Sequence, residues 1–148
     1  MQNGGDDTAI TLGRMLAQIA RRWRHILNTR LLPYGLTDAT WQPLLELSRQ
    51  NRPMSQQEIA DALLLDKSSV VRTLRALEAL DLITRIPDAR DGRAYCIVLT
   101  GTGHERIETV LQAASGIEEE VIEKLGSHGS VAKEIFGEIL DIIVRMKL

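Results

Sequence analysis

Two short amphipathic segments joined by a tight turn constrain this chain more than any other feature of it. The first runs from Gln56 to about Leu64. Ser55 and Glu58 precede and open it three residues apart, the spacing of a capping box, in which each side chain bonds the other's backbone N–H. The periodicity predicts a helix that buries Ile59, Ala60 and Leu63. The second, DKSSVVRTLRALEAL from Asp66 to Leu80, places Val70, Val71, Leu74 and Leu77 at the offsets of one buried stripe. Only the turn around Leu64 to Asp66 separates the two. That arrangement is the helix-turn-helix pattern, whose second helix presents its outer face. Here the outer face carries Lys67, Ser68, Ser69, Arg72, Arg75 and Ala76. Small hydroxyls beside a guanidinium make a low polar ridge. It suits a base-pair edge, because Arg can bond guanine through two donors while Ser and Ala let a helix sink into the groove. An ordinary solvated helix face would carry the same residues, so the neighbouring segments must decide between the two.

At 148 residues the chain suits one domain, or one domain with extra helices. An apolar fraction of 44% argues against disorder, and aromatics at 3% leave Leu, Ile, Val and Ala to fill the interior. The single cysteine, Cys96, can form neither an internal disulfide nor a metal cluster, which fits a reducing compartment. The opening MQNGGDDTAI has acidic residues where a signal peptide needs an apolar run, and no stretch approaches the roughly 20 apolar residues of a membrane span. A cytoplasmic protein is expected. The net charge of −2 argues against nucleic acid only until its distribution is read. Residues 1 to 100 hold 13 Lys and Arg against 11 Asp and Glu, whereas 101 to 148 hold 5 against 9. The acidity sits in the tail, and a binding surface needs only local positive potential.

Residues 1 to 7 read as a polar terminus. From Thr8 to Leu32 the positions Leu12, Met15, Ile19, Ile26 and Leu31 recur at helical spacing until Pro33 and Gly35 break it. This helix carries Arg14, Arg21, Arg22, Arg24 and Arg30, either a solvated face or the lining of an anion site. Thr37 caps a second helix with Trp41, Leu44, Leu45 and Leu47 inward, ending near Asn51 and Pro53. After Leu80 the period becomes extended. Leu82 to Ile86 and Ala94 to Leu99 read as two strands around a charged tip that holds Arg90, Asp91 and Arg93, which is a wing. Thr100 caps a long helix to about Leu125, with Ile107, Val110, Leu111, Ile117, Val121 and Ile122 on one side. A turn at Ser127 to Ser130 leads to a last helix through Val131, Ile135, Phe136, Ile139, Leu140 and Ile143 to Met146.

The order helix, turn, helix, wing is more specific than any motif in it. With Gly35-Leu36-Thr37 and Trp41, Ser55-Gln56 and Glu58-Ile59-Ala60, Ser68-Ser69-Val70-Val71-Arg72, Leu77-Glu78, Leu82-Ile83, Asp91-Gly92-Arg93, and Leu99-Thr100 followed by Gly103, the chain resembles the MarR family of bacterial transcription regulators. Arg21-x-Trp23-Arg24 and Arg30-Leu31-x-Pro33 look like its SlyA-like branch. Two positions depart from the family. Leu64 stands in the turn and Asp81 after the second helix, where Gly is frequent; Leu64 would be strained at positive φ, and Asp81 less so.

The resemblance implies a mainly α fold with a small β-hairpin: a winged helix-turn-helix with N- and C-terminal dimerisation helices. The dimerisation helix would span 1–34, the DNA-binding domain 35–100 and the C-terminal dimerisation helices 101–148. It implies that Ser68, Ser69 and Arg72 meet bases and phosphates of double-stranded DNA in the major groove, and that Lys67 and Arg75 meet the backbone. Arg93 would enter the minor groove with Asp91 holding its guanidinium, and Arg90 lies beside them. A narrow minor groove attracts such an Arg through its enhanced negative potential. The apolar faces of the first and last helices have no other element to cover them, so a homodimer and an inverted-repeat operator are expected. Relatives often bind small aromatic acids or phenols between these regions, which implies an effector site at Arg21, Arg24, Trp41 and Leu45; a core Trp beside solvated Arg residues is the alternative. A strand cysteine such as Cys96 is more often inert than a redox sensor. His25, His104 and His128 fit no ligand spacing, and no phosphate loop or nucleophile motif appears, so no cofactor, metal or enzymatic activity is expected. The expected output is repression released by ligand. The competing function is a winged-helix module that binds a protein partner, which would not need Arg both at position 72 and at the wing tip.

Overall fold

Capping chemistry sets where the helices begin, since the first turn of a helix leaves N–H groups that only a side chain or water can take. In the computed structural model, which describes residues 11–147, Thr11 accepts from the Arg14 N–H and opens α1, Leu12–Leu31. The helix start expected at Thr8 and the polar stretch 1–7 lie outside the described residues. A 3-10 turn through Leu32–Tyr34 follows and ends at Gly35, whose φ of 71° suits glycine. Thr37 and Thr40 cap α2, Asp38–Gln50, the Thr37 N–H donating to Thr40 Oγ1 at 2.8 Å. The Ser55–Glu58 box forms as its spacing predicts. Ser55 N–H donates to Glu58 Oε2 at 2.8 Å, Glu58 N–H donates to Ser55 Oγ at 3.1 Å, and α3 covers Gln56–Leu63. Asp66 caps α4, Lys67–Ala79, and Thr100 caps α5, Gly101–Leu125. A second 3-10 turn, Gly126–His128, leads into α6, Gly129–Arg145, so the turn expected at Ser127 to Ser130 is tighter and the last helix starts at Gly129.

The wing is β2, Ile83–Pro87, paired antiparallel with β3, Tyr95–Leu99, from Ile83 opposite Leu99 to Pro87 opposite Tyr95. A third strand, β1, Met54–Ser55, pairs with the other edge of β3, so the sheet order is β1-β3-β2 rather than a simple hairpin. Two residues carry no alternation to read, and Ser55 already serves as the cap of α3, so periodicity alone does not reveal β1.

A single core runs through all three expected segments. Leu27 and Leu31 of α1, Leu44 and Leu47 of α2, Ile59 of α3, Leu74 and Leu77 of α4, Ile83 and Ile97 of the sheet, and Ile107, Val110 and Ile117 of α5 are buried in one cluster. Val70 belongs to it, but Val71 does not: it is only half-buried and sits at the rim of the α4 stripe, which corrects the expected four-residue stripe to Val70, Leu74 and Leu77. At the start of α5, Thr100 N–H donates to Leu82 O at 3.1 Å and Thr100 Oγ1 donates to Asp81 O at 2.5 Å. This draws the helix against the end of β2 so closely that a Cβ on Gly103 would collide with the Leu82 carbonyl.

The two departures from the family pattern sit where the backbone is left-handed. Leu64 has φ 55° and ψ 41° as the C-cap of α3, and Asp81 has φ 58° after α4. The turn geometry is therefore retained without glycine, at a cost in strain for Leu64 of roughly 1 kcal/mol. Its side chain recovers nothing by packing, being 92% exposed.

Candidate nucleic-acid interface

The outer face of α4 is built from its N-terminus upward. The Asp66 carboxylate takes three donors: Ser68 Oγ at 2.7 Å and Ser69 N–H at 2.8 Å on Oδ1, and Ser69 Oγ at 2.8 Å on Oδ2. These bonds, the Ser68 hydroxyl first and then the Ser69 N–H, hold the carboxyl well below the usual carboxylate range. One turn on, Lys67, Ser68, Val71, Arg72 and Arg75 join Asp66 around a shallow hollow of about 670 Å³ that opens to solvent. Of the residues expected to read DNA from this helix, Lys67, Ser68, Arg72 and Arg75 are exposed and share that hollow. Ser69 does not line it and lies half-buried on the flank. Val71 is the residue that the sequence reading assigned to the core and that the fold puts at the hollow. Its place at the edge of a 100°-wide stripe is the signal that could have placed it there.

The helix is tied to the wing by Glu78 of α4 and Arg85 of β2, whose Nε donates to Oε1 at 2.6 Å. A second pair, Arg52 with Glu58 at 3.1 Å, braces the start of α3, and the Glu58 carboxyl is held low by Arg52 first and by the Ser55 N–H next. At the wing tip Arg90, Asp91 and Arg93 are all exposed. Here one expectation is corrected. Asp91 Oδ1 accepts the backbone N–H of Arg93 at 3.0 Å, and not its guanidinium; Asp88 does the same for Arg90 N–H at 2.8 Å. The carboxylates shape the loop, because a short acidic side chain reaches a backbone N–H two residues on more readily than the end of a long side chain.

The four residues expected around an effector do not share one cavity. Arg24 lies 3.8 Å from Asp38 and lines a cleft of about 400 Å³ with Asp38, Gln42, Pro43, Leu63, Leu65 and Thr73. Trp41 is buried, its Nε1 donating to Asn28 Oδ1 at 2.7 Å, while Leu45 is half-buried against the core and Arg21 is exposed on α1. Cys96 is half-buried, and burial, with the Asp88 carboxylate next, pushes its thiol up, which disfavours the thiolate that redox chemistry needs.

A MarR family model matches residues 34–94, the stretch that contains α2, α3, α4, β2 and the wing tip. Among solved structures, the transcriptional regulator PA3341 is 30% identical, covers 92% of this chain and all of its own, and superposes with a TM-score of 0.76. Wild-type MarR from E. coli in its apo form is 22% identical over 88% of this chain and 98% of that one, with a TM-score of 0.80. A mutant of S. aureus MepR bound to an oligodeoxyribonucleotide is 24% identical over 90% and 98%, with a TM-score of 0.63. The last two show a shared fold. With the family model lying on the helix-turn-helix and wing, and a transcriptional regulator 30% identical along its whole length, this chain belongs to the MarR family.

Proposed function

We propose that the protein is a homodimeric transcription regulator that recognises an inverted-repeat operator through α4 and the wing of each subunit, acting in the cytoplasm and without catalysis. One observation carries the reading: the second helix of the helix-turn-helix exposes Lys67, Ser68, Arg72 and Arg75 around one open hollow. The fold shared with a MepR mutant that was solved bound to an oligodeoxyribonucleotide supports DNA as the partner. In this reading Ser68 and Arg72 meet base edges, with Ser69 at their flank. Lys67 and Arg75 meet phosphates, Arg93 enters the minor groove, and Arg90 and Asp91 hold the wing tip beside it. The second copy covers the apolar faces of α1, α5 and α6 and sets the two reading helices about one DNA turn, roughly 34 Å, apart. Repression released by a small aromatic carboxylate completes the proposal. Arg24 and its cleft supply the cation, and Arg21, Trp41 and Leu45 lie outside that cleft in the single chain; the motifs at Arg21 to Arg24 and Arg30 to Pro33 support a reading nearest the SlyA-like branch.

Gel-shift titration on the promoter region beside its own coding sequence tests the central claim. Retardation should weaken steeply with salt, since every phosphate neutralised releases counterions. Arg72→Ala should cost about 1 to 3 kcal/mol and relax base preference. Equal retardation of random DNA by the native protein would defeat the specific regulator. A loss in Arg72→Ala that is uniform across sequences would make this residue a phosphate clamp instead.

A further inference from the structure

We propose that Asp66 sets the hydrogen-bonding polarity of the reading edge, so that Ser68 faces DNA as an acceptor and selects the amino group of adenine or cytosine over the keto oxygen of guanine or thymine. The inference rests on the reading of α4 as the helix that enters the major groove.

A serine hydroxyl has one proton to donate and two lone pairs to offer. The Ser68 proton is spent on Asp66 Oδ1 at 2.7 Å, and the Ser69 proton on Oδ2 at 2.8 Å. An ionised carboxylate can only accept, so neither bond can run the other way, and charge-assisted bonds of this length are among the stronger ones a hydroxyl makes. The Ser69 N–H is taken as well. The first turn of α4 therefore offers lone pairs outward where a recognition helix with free hydroxyls would offer protons. Phosphate oxygens only accept, so Ser68 gains nothing from them, and the Asp66 charge opposes their approach. The two hydroxyls of this helix start are thus poorly suited to anchoring phosphates, a task left to Lys67 and Arg75.

Base edges present both polarities. In the major groove adenine N6 and cytosine N4 donate, while guanine O6 and N7 and thymine O4 accept. Ser68 lone pairs match the first two and oppose the others. Arg72 and Arg75, which share the hollow with Ser68, can only donate. The edge then carries an acceptor and donors side by side, and Asp66 is a positioning residue that acts through Ser68.

The test is a set of duplexes in which each position of the tightest-binding operator is changed to the other three base pairs. Affinities are read by fluorescence anisotropy for the full-length native protein and for Ser68→Ala, Asp66→Gly and Asp66→Asn. In the native protein one position should lose roughly 10-fold when A or C on the contacted strand becomes G or T. Ser68→Ala should flatten that preference there and nowhere else. Asp66→Gly, glycine being a tolerated N-cap, should release the hydroxyl and flatten or invert the same preference with circular dichroism unchanged. Asp66→Asn keeps an amide oxygen for Ser68 and should restore it. Native base preferences in Asp66→Gly, or a Ser68→Ala loss that is uniform or absent, would overturn the inference while leaving a sequence-specific native protein standing. A native protein that ranks all duplexes equally would overturn both readings. If Asp66→Gly does not fold, the Ser68→Ala profile still decides whether the hydroxyl reads an amino group.

Discussion

The middle of this molecule and its ends use the same apolar residues to opposite effect. In the reading region, Leu44, Ile59, Leu74 and Leu77 have no exposed surface. In α6 only Gly129 is buried, and Ile135, Phe136, Leu140, Ile142, Ile143 and Val144 all face outward, Leu140 at 62% and Val144 at 73%. Helix α1 passes from one regime to the other, with Leu12, Met15 and Ile19 exposed and Leu27 and Leu31 buried. Helical periodicity shows that a face must be covered and says nothing about what covers it. Where the chain folds back on itself the cover is internal. Among the described residues nothing covers the apolar side chains of α6, and the proposed second copy would do so.

The largest test of this contrast places charge on the open end. Phe136→Asp with Leu140→Asp would bury two unpaired carboxylates from each subunit of the proposed dimer and should weaken association by about 5 kcal/mol or more. Light scattering at micromolar concentration should then report a monomer mass that keeps its helical circular dichroism. A surviving dimer would mean that α6 is covered some other way, and the contrast between core and ends would break. A change in the closed region should instead damage the fold of each subunit. Gly103→Ala drives a methyl into the Leu82 carbonyl between β2 and α5, and a destabilisation of about 3 kcal/mol is expected, read as a lower chemical or thermal midpoint. A native midpoint would show that the sheet and helix slide apart freely. The smallest effect is expected at the turn between α3 and α4. Leu64→Gly removes left-handed strain from a side chain that packs on nothing, so stability should rise by about 1 kcal/mol, roughly 3 °C in melting temperature. A lower midpoint would show that the exposed Leu64 has a contact to lose.

Local chemistry is legible in the sequence alone. Ser55 with Glu58, Thr37 and Thr100 mark helix starts because a cap is a contact between near neighbours in the chain. The wing was legible because its two strands alternate around a polar loop. What was not legible depends on distant partners. Strand β1 exists because β3 offers a free edge to Met54 and Ser55. Val71 lies at the hollow because the core is already filled beneath it by Val70, Leu74 and Leu77. Arg24 faces Asp38, and Trp41 faces Asn28, because the fold brings these side chains of α1 and α2 together, a pairing that no spacing encodes.

The sequence by itself determined the order of elements, the helix caps, the charged wing and the ridge from Lys67 to Arg75, since each is set by residues within a few positions of one another. Tertiary structure decided which apolar residues are enclosed and which are left open. The direction in which the hydroxyls at the head of α4 point is a local matter instead, fixed once the helix forms by the cap residue two and three positions before them. Ser68 and Ser69 read from sequence as donors or acceptors alike, and only the placement of the Asp66 carboxylate within 2.8 Å of both commits their protons. A side chain's composition states what it can bond, and its neighbours in space determine what it has left to offer.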